Sequence, residues 1–383
     1  MSSSFSVFSP LDDPGGQAKA DASIPSFGIE LEFLVDLLPD GTPDPDPNDS
    51  RTRTGIFPFP LEAQQHIAKN LNSEFEDCTY MTTKELVQPF WAFTPSGNID
   101  SKAEEDAFGR SAYGEWAVKG DISVEDHEKG ATPYQYIAIE VVSPSYLFGA
   151  NSIADVQRVA EHLAKTYKTK LNNTCKIHIH ISCQHADFSL RHLKNIMAIL
   201  WTFEKRFYQL VSEDRSNNMA YTGALNTGSR LGEEVASAAE GLERILAAES
   251  VGDLAHMLTD PTWIRLGFNI RDLNTQCTKS FIRKTTLEIR IHEGTLDPEE
   301  ISNWAILFNR LSKFADSVNT ENLNLWLRQH INDAEEDYDV FQLLRALKMP
   351  LHANYYAGKT VGRLGEEEKD IPLYKAAIVD TQR

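Results

Sequence analysis

Hydrophobic and polar residues alternate along four segments of the chain, which is the pattern expected of β-strands with one buried face. These segments are Ser26 to Asp36, Tyr136 to Ser143, Cys175 to Cys183 and Thr285 to Ile291. A less regular strand pattern runs from Trp116 to Ser123. In each of the four strands the apolar residues fall on one face, against which helices would pack.

Apolar residues at helical spacing predict six amphipathic helices between and after these strands. They are expected at Leu61 to Leu71, after a cap at Asn151 or Ser152, after a cap at Ser189, over Glu233 to Leu258 with a break near Val251, after Asp297, and at Tyr338 to Lys348. Asp297, Pro298 and Glu299 give the clearest helix start, because they supply an N-cap, a proline at N1 and an acidic first turn. The mixture predicts an α+β fold with helices on one face of a sheet.

Composition and charge narrow the classes of partner. The chain has 383 residues and a net charge of −19, and no cluster of basic residues is visible in it. Such a chain would repel a phosphate backbone or an anionic membrane, so we expect neither nucleic acid nor membrane as a partner. The N-terminus resembles no targeting signal, and the four cysteines are expected to be reduced. Together these features predict a soluble cytoplasmic protein.

The opposite faces of the same four strands carry ionisable side chains. Residues two apart on a strand share a face. The predicted polar faces hold Glu30 and Glu32, then Glu140, then His178, His180 and Ser182, and finally Glu288, Arg290 and His292. If the strands form one sheet, a single arginine cannot neutralise four carboxylates, so bound cations are the simplest compensation. Mixed Glu and His ligands suit Mg²⁺ or Mn²⁺ when phosphate oxygens complete the shell.

Other interpretations of these residues are weaker. Any one of the four faces could simply be a solvated strand face, but four such faces make that explanation less satisfactory. Cys175, His178, His180 and Cys183 are spaced like a zinc motif, yet on a strand the cysteines would point away from the histidines. The chain also lacks the Walker, GxGxxG and GxSxG motifs, so any nucleotide would be held through metal ions.

The motifs on these strands resemble, in order and spacing, those of the amidoligase family: FGIELEF, IAIEVVSP, CKIHIHIS and TTLEIRIHEGTLDPEEISNW. WAVKGDISV resembles the segment between the family's first two acidic strands. This family is similar to glutamine synthetase and glutamate–cysteine ligase, which share a curved, mainly antiparallel sheet and join a carboxylate to an amine using ATP. The resemblance covers Phe27 to Phe314 and implies that fold and that type of reaction.

The resemblance implies two metal-binding groups on the sheet. Glu30, His178 and Glu288 would hold one Mg²⁺ or Mn²⁺ ion, and Glu32 with Glu140 would hold another. Two glutamates that glutamine synthetase places near its second metal have no clear counterpart in this sequence, so the number of ions stays open between one and three.

The resemblance also implies which residues contact the nucleotide. His180 and Ser182 match positions that lie against ATP. Arg283 and Lys284 are further candidates for contact with phosphate, and Asn269 for contact with phosphate or substrate.

The implied reaction is ATP-dependent formation of an amide or peptide bond through an acyl-phosphate, on small-molecule carboxylate and amine substrates. Glu288 and Arg290 would be catalytic, with Arg290 gripping the substrate or its acyl-phosphate, and Asp121 would orient the amine. Two alternatives stay open: a small-molecule phosphotransferase on the same fold, and a non-catalytic scaffold that binds metal or nucleotide. The substrates, the general base and the oligomeric state are not encoded in any readable motif.

These patterns predict three parts of the chain. Residues 1–24 are expected to be disordered, and residues 25–320 to form the catalytic domain. Residues 321–383 are expected to form a helical C-terminal extension. Within the catalytic domain, Pro39 to Gly55 repeats proline and aspartate and is predicted to be a surface loop.

Overall fold

The structure is a computed structural model, which describes residues 24–38, 41–51, 60–75, 80–81, 116–127, 133–183, 187–212, 215, 223–262, 265–274 and 285–364. Most of the predicted disordered segment therefore lies outside the described residues. The predicted surface loop is described over 41–51.

Nine strands of the described segments form one open sheet. They are β1 Pro25–Leu37, β2 Tyr80–Met81, β3 Trp116–Lys119, β4 Gln135–Val142, β5 Tyr146–Leu147, β6 Thr169–Lys170, β7 Lys176–Cys183, β8 Phe268–Asn269 and β9 Leu287–Glu293. The order across the sheet is β2-β3-β4-β1-β7-β9-β8, and β5 and β6 also pair with β1. The β2–β3 pair is parallel and the other pairs are antiparallel, so the predicted, mainly antiparallel sheet is confirmed.

Eleven α-helices are found in the described part of the chain. They are α1 Pro60–Glu74, α2 Ala150–Thr166, α3 Leu190–Tyr208, α4 Leu225–Gly228, α5 Arg230–Glu234, α6 Ala238–Ala247, α7 Val251–Met257, α8 Pro298–Ser317, α9 Thr320–His330, α10 Val340–Ala346 and α11 Pro350–Leu364. With the sheet, they make the α+β architecture that the sequence predicts.

Side-chain caps explain where several helices begin. Ser189 accepts a hydrogen bond from the His192 amide, and Asp297 accepts from the amides of Glu299 and Glu300, as predicted. The expected cap of α2 at Asn151 or Ser152 is wrong. Helix α2 begins after Gly149, and Ser152 instead accepts a hydrogen bond from the Gly149 amide at 3.1 Å.

The predicted break in the helical region Glu233 to Leu258 is larger than the sequence suggested. Ser237 and Ser250 each accept a hydrogen bond from the amide three residues later. Each serine therefore starts a new helix, α6 and α7, and the region contains separate short helices.

The apolar face of the sheet lies in the main hydrophobic core. Helix α8 packs directly against β1 and β7, α2 and α3 pack against α8, and α1 packs against β3 and β4. Leu323, Trp326 and Leu343, from the helices beyond residue 320, belong to the same core. None of the helices in the described segments is both long and apolar enough to span a bilayer.

Candidate active site

The register of the sheet collects the predicted polar residues on one surface. The four predicted strands are neighbours, in the order β4-β1-β7-β9. Directly opposite each other stand Glu30 and His178, Glu32 and Glu140, and His180 and Glu288. These six residues, which we call the acidic face, are only 2% to 9% exposed. Solvated strand faces would be more open, so that interpretation of the acidic face is wrong.

Glu30, His180 and Glu288 are arranged like the ligands of one metal ion. One ligand atom from each lies within 4.8 Å of the others. His180 Nε2 is 3.1 Å from Glu30 Oε1 and 3.8 Å from Glu288 Oε1, but among the described residues it has no hydrogen-bond partner. Thr286 Oγ1, 3.0 Å from His180 Nδ1, fixes the other side of the ring. A nitrogen held between two carboxylates in this way is suited to a cation.

His178 presents a second nitrogen to the acidic face. Its Nδ1 lies 2.8 Å from Glu30 Oε2, and burial lowers the pKa of His178 to about 4, so the ring is neutral and donates from Nδ1. The lone pair of Nε2 then faces Glu32 Oε1 at 3.4 Å. Because both atoms are acceptors when Glu32 is ionised, a proton or a cation must lie between them.

Glu32 and Glu140 form the other acidic group. The pKa of Glu32 is raised to about 8 and that of Glu140 well above its usual value, mainly by burial, and nearby Asp121 contributes to both increases. Lys119 Nζ is 3.0 Å from Glu140 Oε1, whereas Lys176 Nζ is 3.9 Å from Glu32 Oε2. Within the described residues, both Glu32 oxygens lack a hydrogen-bond partner. Buried carboxylates of this kind bind either protons or cations.

Arg290 and Asn269 hold Glu288 in place. Arg290 pairs with Glu288 Oε1, and Asn269 Nδ2 donates to Glu288 Oε2 at 2.7 Å. Burial opposes ionisation of Glu288, but Arg290 and the other nearby basic side chains together outweigh it and hold the pKa of Glu288 well below its usual range. Glu288 is therefore an anion at neutral pH, and its oxygens retain lone pairs for a cation.

The donor set of the acidic face fits a hard divalent cation. It consists of carboxylate oxygens and imidazole nitrogens, and several of these buried atoms lack hydrogen-bond partners within the described segments. The group arranged like metal ligands contains His180 where the resemblance implied His178. The division of these residues among particular ions stays a prediction.

An open pocket adjoins Glu30 and His180 on the acidic face. We call it the β1 pocket; it is lined by Phe27, Gly28, Glu30, Val142, His180 and Ser182, with Thr285 and Thr286 at its side. Its volume of about 640 Å³, which includes the open mouth, is in the range of small-molecule sites. The predicted nucleotide contacts His180 and Ser182 both line this pocket. Ser182 Oγ also lies 2.7 Å from Ser26 Oγ.

A β-bulge changes which residues of β9 reach the acidic face. Ile179 pairs with Ile289, but Ile177 pairs with His292, so β9 contains one extra residue. The His292 side chain therefore points to the helices. Its ring packs against that of Trp304 on α8, with the ring centroids 4.6 Å apart. The expectation that His292 shares a face with Glu288 and Arg290 is wrong for this reason.

The bulge also brings a residue to the acidic face that the alternation did not predict. Glu293 lies opposite Lys176 in the β7–β9 ladder, and residues opposite each other share a face. Lys176 points to the same face as His178, so Glu293 does too. Lys176 itself could have been found from its position two residues before His178. Lys119 could not, because it meets Glu140 only through the β3–β4 pairing.

The remaining predicted site residues are placed as follows. Asp121 lies near Glu32 and Glu140, and its Oδ1 accepts a hydrogen bond from the Ser123 amide at 2.6 Å. Arg283 and Lys284 lie outside the described residues, so their predicted phosphate contacts stay predictions.

A family model described as "putative amidoligase enzyme" matches residues 24–312, about three quarters of the chain. The chain belongs to this amidoligase family. The family that the four motifs indicated is thereby confirmed. No curated protein and no solved structure matches the chain.

Membership in the amidoligase family indicates an enzyme that forms amide bonds. All four acidic-face strands of this amidoligase lie within the matched residues, whereas helices α9, α10 and α11 follow after them. The residues suited to a cation are thus part of the family's common segment.

Proposed function

We propose that this amidoligase is an ATP-dependent carboxylate–amine ligase that forms an amide or peptide bond on a small molecule or amino acid. The observation that carries the proposal is the convergence of Glu30, His180 and Glu288 beside Arg290 and the β1 pocket. The proposal includes a glutamine-synthetase-like sheet, ATP with Mg²⁺ or Mn²⁺, and a cytoplasmic location.

The acidic face supplies the groups that would hold the metal. Glu30, His180 and Glu288 suit one divalent ion, and Glu32 with Glu140 suits a second, with the His178 lone pair directed at Glu32. Such ions neutralise charge on phosphoryl oxygens when ATP is bound.

In the proposed first step, a carboxylate oxygen of the substrate attacks the γ-phosphorus of ATP. The bond from that phosphorus to the bridging oxygen breaks, ADP leaves, and an acyl-phosphate forms. The β1 pocket would hold the nucleotide, with Ser182 and His180 beside it. Burial opposes the charge of Arg290, but Glu288 and the neighbouring carboxyl groups together outweigh this and raise the pKa of Arg290, which therefore stays cationic and can stabilise the transferring group.

In the proposed second step, the amine attacks the acyl carbon and phosphate leaves as the carbon–oxygen bond breaks. The amine must lose a proton to a base during this step. Asp121, near Glu32 and Glu140, would orient the amine.

The test is an assay of the purified chain with ATP, Mg²⁺ and a panel of amino acids as substrates. We expect release of ADP and phosphate together with an amide product, and hydroxylamine should trap the acyl-phosphate as a hydroxamate. Glu288→Gln should abolish both signals while the thermal melt stays cooperative.

Each competing function predicts a different result in the same assay. Release of AMP would overturn the acyl-phosphate mechanism. A stable phosphorylated product without consumption of amine would indicate a phosphotransferase. Absence of turnover across the panel, with metal and nucleotide still bound, would indicate a binding scaffold.

A further inference from the structure

A second pocket lies beyond the Glu32 end of the acidic face. We call it the Arg215 pocket; it is lined by Leu171, Asn172, Asn173, Ser212, Arg215 and Glu293. It encloses about 590 Å³ including its mouth, which suits a small molecule. Glu293 lies opposite Lys176 in the β7–β9 ladder, and Lys176 Nζ is 3.9 Å from Glu32 Oε2. This pocket therefore borders the acidic face.

Arg215 is a buried cation in this pocket with an unused donor. It is 3% exposed, and its Nη2 donates to the Cys175 carbonyl at 2.6 Å. Its Nε has no hydrogen-bond partner within the described part of the chain. A buried donor without a partner is costly, so an acceptor oxygen supplied by a ligand would stabilise this arrangement.

Glu293 supplies the opposite charge on the same pocket. One of its oxygens, Oε2, accepts a hydrogen bond from the Ser212 amide at 3.3 Å. Glu293 points to this side of the sheet only because of the bulge in β9; in a regular ladder it would face the helices. A ladder irregularity that turns a carboxylate toward a pocket is typical of a functional site.

The two charges select the ligand's chemistry. A dicarboxylate would place one of its anionic groups against Glu293, and a diamine would place one of its cationic groups against Arg215. A zwitterion can satisfy both residues, with its carboxylate at Arg215 and its ammonium group at Glu293.

We infer that the Arg215 pocket binds an α-amino acid through its carboxylate and ammonium groups. This inference rests on the proposed function and makes it more specific, because one of the two substrates would be an α-amino acid. The pocket also has a suitable position, since Lys176 stands two residues from His178 on the same face of β7. An amino acid held there would lie next to the groups proposed to transfer phosphate.

The first experiment measures binding to the unmodified full chain by calorimetry. The probes are the twenty common amino acids, followed by the N-acetyl and α-amide derivatives of those that bind. Titrations are run with EDTA and, in parallel, with Mg²⁺ and a non-hydrolysable ATP analogue. We expect at least one free amino acid to bind, and each derivative to bind about tenfold more weakly or worse, because each lacks one of the two charges that the pocket would recognise.

Two variants assign the charges to residues. Glu293→Gln keeps an oxygen for the Ser212 amide, and it should weaken binding of the free amino acid about tenfold without changing binding of its N-acetyl derivative. Arg215→Gln should weaken the free amino acid but not its α-amide. Arg158→Gln is the matched control, because the Arg158 side chain is 58% exposed on α2, and it should change neither affinity.

The results separate this inference from the proposed function. If no amino acid binds in either condition, or if removing either charge from the ligand has no effect, the inference is overturned even when the enzyme makes amide bonds. Charge-dependent binding without ADP release would instead keep this site and overturn the ligase. Because Arg215 also supports the Cys175 carbonyl, its variant could unfold, but the ligand series and Glu293→Gln decide the question without it.

Discussion

At the scale of single residues, His180 shows how a neighbour prepares a side chain for metal binding. The Thr286 hydroxyl lies 3.0 Å from Nδ1, which leaves Nε2 directed between Glu30 and Glu288. Partners of this kind fix the orientation and tautomer of a histidine ligand. Thr286 thus supports the acidic face, although nothing in the sequence marks this threonine as a site residue.

Replacing Thr286 tests this role directly. Thr286→Val removes the hydroxyl but keeps the shape of the side chain, so we expect affinity for Mn²⁺ to fall by about tenfold or more. The measurement is a Mn²⁺ titration of the full chain without nucleotide, in which calorimetry or electron paramagnetic resonance detects the bound ion.

Thr286→Ser is the matched control, because it retains the hydroxyl and should bind Mn²⁺ like the original chain. Equal affinity in the valine variant would show that His180 needs no such support or is not a ligand.

The sequence is most informative about residues that lie on regular strands. Alternation along β1 and β7 correctly placed Glu30, Glu32, His178 and His180 on one face, because the two-residue period is a local property of the backbone. It could not find Lys119, since that contact depends on strands distant in the sequence. Single residues are thus predictable as far as the local backbone is regular.

At the scale of elements, the bulge in β9 is the feature that the sequence concealed. The alternation of TTLEIRI continues smoothly through Ile291, yet the ladder gains a residue opposite β7. The β9 side of the bulge is braced by Gly267, whose carbonyl accepts a hydrogen bond from the Arg290 amide at 2.8 Å. A Cβ at Gly267 would lie 2.4 Å from Ile291 Cγ2.

We therefore expect Gly267→Ala to lower the free energy of unfolding by about 1–3 kcal/mol, since an added methyl group must displace a packed side chain beside the bulge. Urea denaturation followed by circular dichroism measures this change. Gly252→Ala is the matched control on α7, where the nearest atom to a new Cβ is Ser250 Oγ at 3.7 Å.

The control should be neutral or more stable by up to about 1 kcal/mol, because alanine favours a helix over glycine. Similar stabilities for the two variants would mean that the contact between Gly267 and Ile291 relaxes without cost.

At the scale of the whole molecule, the helices beyond the family's segment are not peripheral. Trp326 of α9 packs against Phe203 of α3, with ring centroids 4.9 Å apart. Lys359 of α11 pairs with Glu300 of α8, whose carboxylate is 3.5 Å from His292 Nε2 on β9. The C-terminal helices therefore reach the strand that carries Glu288 and Arg290.

This packing decides whether residues 25–320 can fold without the extension. A chain ending at residue 320 would expose the buried rings of Phe203 and Trp304, and the loss of several buried side chains, at about 1.5–3 kcal/mol each, is comparable with the stability of an ordinary domain. We expect such a chain to lose its cooperative melt and to aggregate. A chain ending at residue 364, which keeps α11, should melt like the full chain. Thermal melts followed by circular dichroism, with light scattering to detect aggregation, compare the three. If the chain ending at 320 melts as cooperatively as the others, residues 321–383 are a separate extension, and the shared core contributes little to stability.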